Sequence, residues 1–106
     1  MADTASRLSG PTQLGTSAAT VYTVPASTTA IIRHLIAVNT SALGATLTIS
    51  IGADAASKRI VSAHSMGPNE VFEMKGFIVL TAAEILQAFA GTATAITLTV
   101  SGVQVT

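Results

Sequence analysis

A chain of 106 residues with zero net charge and no cysteine makes one domain that buries roughly two-thirds of its unfolded surface, with no disulfide, zinc–thiolate site or cysteine nucleophile. Neutrality leaves none of the basic footprint that nucleic-acid binding requires, and no apolar run approaches the ~20 residues that span a membrane. Charged residues make up 9% of the chain, against about 25% in an ordinary soluble domain; such a surface resists association poorly, and partners are expected to cover much of it.

The amino-terminal MADTASRLSGPTQ is polar and lacks the apolar core of a signal peptide. It reads as an extended arm over residues 1–15, ahead of a single domain over 16–106. Leu8 is the arm's apolar anchor and Arg7 its polar contact, directed at a neighbouring subunit or at a larger assembly on which the chain sits; Gln13 to Thr16 is a candidate edge pairing. Thr20 to Val24 reads as a strand ended by Pro25, and Ala26-Ser27-Thr28-Thr29 as a turn.

Ala30 to Asn39, AIIRHLIAVN, is a longer strand. Strict alternation sets Ile32, His34, Ile36 and Val38 on one face and Ile31, Arg33, Leu35 and Ala37 on the other. Both faces are largely apolar, whereas a sandwich strand needs only one apolar face. A neighbouring subunit is the simplest cover for the second, so Ile31, Arg33, Leu35 and Ala37 are the candidate oligomer interface.

Thr46 to Ile51 alternates cleanly, with Leu47, Ile49 and Ile51 opposite Thr46, Thr48 and Ser50. Lys58 to Ala63 is a further strand after Gly52-Ala53-Asp54, and Gly67-Pro68-Asn69-Glu70 is a strong turn signal. Val71 to Met74 and Phe77 to Leu80 follow as separate strands, with Lys75-Gly76 between them. The segment from Thr81 to Phe89 has two readings. Its composition is helical and Thr81 with Glu84 makes a capping-box pattern. A turn at Ala82 to Glu84, then a strand with Ile85, Gln87 and Phe89 on one face, suits its strand neighbours better. Ile96 to Val100 alternates again, and the phase then slips to Val103 and Val105, which predicts a bulge near Ser101-Gly102.

One motif is written twice. Thr46-Leu47-Thr48-Ile49-Ser50 and Thr97-Leu98-Thr99-Val100-Ser101 correspond, and the same spacing carries Ala42 onto Ala93. Two similar hairpins in the two halves of one sandwich explain this; so does convergence of Thr-rich, half-buried strands. Either way the two segments are expected to be equivalent strands. Many short strands with closely spaced turns indicate a sandwich or barrel.

Catalytic chemistry has little support. There is no Gly-x-Ser-x-Gly and no phosphate-binding loop. His34, His64 and Glu73 form a metal site only if their strands pair, and no spacing favours it over structural roles. Glu70 and Glu73 flank a turn. Tyr22 is the aromatic residue that reads as free to offer a sugar platform, although core packing explains it equally well.

In order along the chain, Val21-Tyr22-Thr23-Val24-Pro25-Ala26, Thr28-Thr29-Ala30-Ile31-Ile32, Val38-Asn39-Thr40, Thr46 to Gly52, Gly76 to Leu80, Ile85 to Ala88 and Val100 to Val103 resemble a group of small structural proteins of tailed bacteriophages. The resemblance covers most of the chain from Thr16. It implies an all-β antiparallel sandwich of jelly-roll type, with a Gly-Asp turn where this chain has Ala83-Glu84. It also implies a non-enzymatic virion protein without cofactor or metal: a head decoration or cement protein, homotrimeric, bound to the major capsid protein. The alternative within the resemblance is a tail or fibre module that binds host glycan.

Overall fold

The computed structural model describes residues 3–106, with side chains from Thr4 onward. Eight strands follow one another: β1 (Asp3–Gln13), β2 (Ala19–Thr23), β3 (Thr29–Asn39), β4 (Ala45–Ile51), β5 (Arg59–Met66), β6 (Val71–Leu80), β7 (Ile85–Ala90) and β8 (Ile96–Val105), with a 3-10 turn at Ala56–Lys58. They form two four-stranded sheets, ordered β1-β8-β3-β6 and β2-β7-β4-β5, and every pairing is antiparallel. This is the all-β sandwich that the alternation predicts.

The pairing is nested. β1 lies against β8, β2 against β7, β3 against β6 and β4 against β5. The chain is therefore a long two-stranded ribbon, closed at β4–β5 and wound across both sheets. Among the described residues only the β4–β5 connection stays within a sheet.

The core lies between the sheets, where Leu35, Leu47, Ile49, Leu80, Leu86, Ile96, Leu98 and Val100 are at most 1% exposed. Leu47 and Leu98, the centres of the two Thr-Leu-Thr motifs, occupy equivalent places. Each sits on a central strand, β4 in one sheet and β8 in the other. The loops ahead of them do not make hairpins, because both carry the chain from one sheet to the other.

The segment after Thr81 is a strand. Leu86, Ala88 and Ala90 point inward and Ile85, Gln87 and Phe89 outward. The capping-box pair closes a β-turn instead of opening a helix. The Glu84 carboxylate accepts from Thr81 N at 2.7 Å and Thr81 Oγ1 at 2.9 Å, and Glu84 N donates to Thr81 O at 3.0 Å. Ala83 takes a φ of 69° in that turn, the left-handed conformation for which glycine is the usual residue.

Four expectations are corrected. Residues 3–13 are not a free arm: they form edge strand β1, paired with β8 from Asp3↔Val105 to Gln13↔Thr97. Met1 and Ala2 lie outside the described residues. Lys75-Gly76 does not interrupt the strand, since β6 runs through it with Gly76 at φ +145°. β8 carries no bulge and keeps its alternation by turning Gly102 and Gln104 inward. The irregularity falls on its neighbours, at Arg33 in β3 and Leu8 in β1, where register skips one residue. Gly102 is required there, because a Cβ would overlap the Ile31 carbonyl oxygen and come within 3.1 Å of Ile32 Cα.

The bulge at Arg33 also corrects the faces of β3. An inserted residue reverses the alternation that follows it. Ala30, Ile32, Leu35, Ala37 and Asn39 point inward, while Ile31, His34, Ile36 and Val38 point outward with Arg33 exposed beside them.

Candidate interaction face

Cross-strand neighbours on an antiparallel sheet share a face, so the outer surface of β1-β8-β3-β6 is built in rows. One runs Val79–Ile31–Val103–Ala5. The next runs Lys75–His34–Ser101–Arg7, then Glu73–Ile36–Thr99, then Val71–Val38–Thr97–Gln13. Apolar rows thus flank a charged stripe. Val71, Phe77 and Val79 are 56%, 71% and 56% exposed, and Ile31, Ile36, Val38 and Val103 are half-buried.

Glu73 organises the stripe. His34 Nε2–H donates to Glu73 Oε2 at 2.8 Å, and Lys75 Nζ lies 3.6 Å from Glu73 Oε1. The His34 hydrogen bond, and then the Lys75 charge, hold the Glu73 carboxyl below its ordinary range. The Arg33 guanidinium carbon lies 4.5 Å from the centroid of the Phe77 ring, within cation–π range. A cavity of about 200 Å³ opens beside it, lined by Ile32, Met74, Lys75, Gly76, Phe77 and Ile78.

The four residues expected at an oligomer interface are not on one face. Ile31 and Arg33 lie outward, but Leu35 and Ala37 have zero exposure inside the sandwich. The two arm residues also separate. Arg7 is exposed opposite Ser101, while Leu8 packs against the chain's own core. Tyr22 is not a free platform, being 9% exposed with its hydroxyl accepting from Gln104 Nε2 at 2.7 Å across the two sheets. Phe77 is the aromatic side chain that stands out, and nothing in the alternation marks it, since it lies beside the irregular Gly76.

His34 and His64 are apart in function. His34 holds Glu73, whereas the His64 ring stacks on Phe72 with centroids 4.9 Å apart. Among the described residues no three His, Cys, Asp or Glu side chains gather as a metal ion requires.

The opposite outer surface, on β2-β7-β4-β5, holds Ile85 and Phe89 half-buried around a polar network. Arg59 clamps Asp54 through Nε at 3.0 Å and through a terminal nitrogen at 3.1 Å, and Ser50 Oγ donates to Asp54 Oδ1 at 2.6 Å. Asp54 N donates to Gln87 Oε1 at 3.0 Å, and Gln87 Nε2 to Thr20 Oγ1 at 3.3 Å. Arg59, then Ser50, hold the Asp54 carboxyl below its ordinary range. The network pins Asp54 against the sheet beside Ser50, and Thr48 Oγ1 accepts from Ala63 N at 3.0 Å; Ser50 and Thr48, expected on a solvated face, are buried, at 1% and 3% exposed. The two outer surfaces therefore differ in kind: one is closed on itself, the other open and apolar.

No known protein family matches the chain, and comparisons with curated proteins and with solved structures find no match.

Proposed function

We propose that this chain is a non-enzymatic structural protein of a tailed-bacteriophage virion, coating the capsid shell as a decoration or cement protein. The observation that carries the reading is the outer face of β1-β8-β3-β6, where Val71, Phe77 and Val79 stand more than half exposed. A fully buried side chain of this kind contributes roughly 1.5–3 kcal/mol. One molecule thus gains modest adhesion, and many copies on one shell gain avidity.

The nested winding supports the same reading. A two-stranded ribbon rolled over two four-stranded sheets is the plan of a jelly roll, an architecture used by viral capsid domains as well as by lectins and cupins. This is an analogy of fold, and folds host many functions; the apolar face is what turns it toward adhesion. Low charge fits as well, because like copies must crowd together on a shell. The partners are other copies of the chain and the major capsid protein.

Imaging particles of the phage that encodes this chain, with and without it, tests the reading. The expected result is extra density at regular sites on the head, absent from deletion particles and restored by adding the protein. Density confined to the tail would replace decoration with the tail or fibre role. Identical particles would overturn both.

A further inference from the structure

We propose that β6 pairs antiparallel with β6 of a second copy about a two-fold axis at Met74, joining two outer faces into one. Among the described residues β6 ends its sheet, with β3 as its only strand neighbour, and is ten residues long. Beside Glu73 and Lys75 its edge carries Val71, Phe77 and Val79, and an unpaired edge is a template for another strand.

Geometry restricts the pairing. Two identical edge strands related by a two-fold axis are antiparallel only if the axis is perpendicular to the sheet. Outward residues then meet outward residues, and few registers remain. Centring on Glu73 sets two carboxylates opposite each other, and centring on Lys75 sets two ammonium groups opposite each other; both arrangements repel. Centring on Gly76 places Lys75 against Phe77 and Glu73 against Val79.

Centring on Met74 places Glu73 of each copy against Lys75 of the other, and Val71 of each against Phe77 of the other. The stretch Val71-Phe72-Glu73-Met74-Lys75-Gly76-Phe77 is thus complementary to its own reverse, apolar pairs outside and charge pairs inside. On the inward side the same register sets Phe72 opposite Gly76 of the second copy. Gly76 has nothing within 4 Å of the position a Cβ would take, and it borders the cavity of about 200 Å³. A facing aromatic is the usual filler for such a gap beside a strand glycine.

An edge contact of this symmetry closes at two copies, so the unit is a dimer in place of the trimer that the resemblance implies. It extends one sheet to eight strands and doubles the apolar face on one side. The contact does not rest on the virion reading, so its failure would leave that reading standing.

Light scattering and sedimentation equilibrium of the full chain across the micromolar range test it, with circular dichroism confirming that each variant is folded. The wild-type mass should rise from monomer to dimer. Lys75→Glu makes both facing charged positions of β6 acidic and Glu73→Lys makes both basic, so each variant alone should associate about tenfold more weakly or worse. An equimolar mixture of the two should recover the dimer, because every facing pair is then Glu against Lys. A monomeric wild type, a trimer, single variants that associate as the wild type does, or a mixture that stays monomeric would each overturn the proposal.

Discussion

Asn39 does more for the fold than any other polar side chain inside it. It has no exposed surface. Its Nδ2 donates to Leu43 O at 2.9 Å and Met66 O at 3.1 Å, and its Oδ1 accepts from Ser41 N at 3.0 Å and Ser41 Oγ at 2.8 Å. One side chain thus ties the β3–β4 loop to the end of β5. Asn39→Ala takes the side-chain donor from the buried Met66 carbonyl and the acceptor from Ser41, and urea denaturation should show a loss of about 2–3 kcal/mol. A loss within the error of the measurement would mean that water replaces these bonds. Little in the sequence announces this role, because an Asn after an apolar strand reads equally well as the first residue of a turn. The charged residues make a second test. Asp54, Glu73 and Glu84 all have folded pKa values below their ordinary ones, each through hydrogen bonds or paired charge. Their stabilisation is complete above the unfolded carboxylate values, near pH 4, and is lost as pH falls through the folded values. Tm should therefore hold level down to about pH 5 and fall below about pH 4. Asp54→Asn should lower Tm at neutral pH and make the acid fall shallower; an unchanged acid slope would contradict the account.

Among the elements, those with one apolar face are legible in the sequence and those with an irregularity are not. β4, β7 and the first half of β8 follow period two without interruption, so their inward residues can be read directly. β3 cannot be read that way, because the bulge at Arg33 reverses its phase midway. The phase slip at Ser101-Gly102 is a true signal of that bulge, but the extra residue sits on the neighbouring strands. β6 reads as two strands because Lys75-Gly76 looks like a turn; the strand continues, and its ladder to β3 skips Gly76 and Phe77 before resuming at Ile78. β1 reads as an arm for a different reason. An edge strand needs few apolar residues, and Ser, Gly and Pro give it the composition of a loose tail. Its pairing with β8 makes deletion decisive. Removing residues 2–13 strips the ladder from β8 and uncovers the core side that Leu8 packs against. The truncated chain should lose its cooperative thermal melt by circular dichroism; a sharp melt near the wild-type Tm would mean that β1 is dispensable.

At the scale of the molecule, the nested winding sets which contacts form and which surfaces are left open. Ribbon pairing brings residue 3 beside residue 105, so most stabilising contacts are far apart in sequence and folding is expected to be slow for a chain of this length. The same winding gives the sandwich two unlike outsides. A polar network through Asp54 and Arg59 occupies one, leaving the other as the surface available to partners. The proposed adhesive role and the proposed β6 dimer both involve that open face, and together they would have paired molecules present a broad apolar surface to a shell. The most direct test of the proposed virion role is the copy number of this chain, measured by quantitative mass spectrometry, in virus particles purified from the source that carries its gene. Many copies per particle are expected, in fixed ratio to the major capsid protein and retained through washing at high salt, where apolar contacts persist. Particles that carry none of the chain would contradict that role.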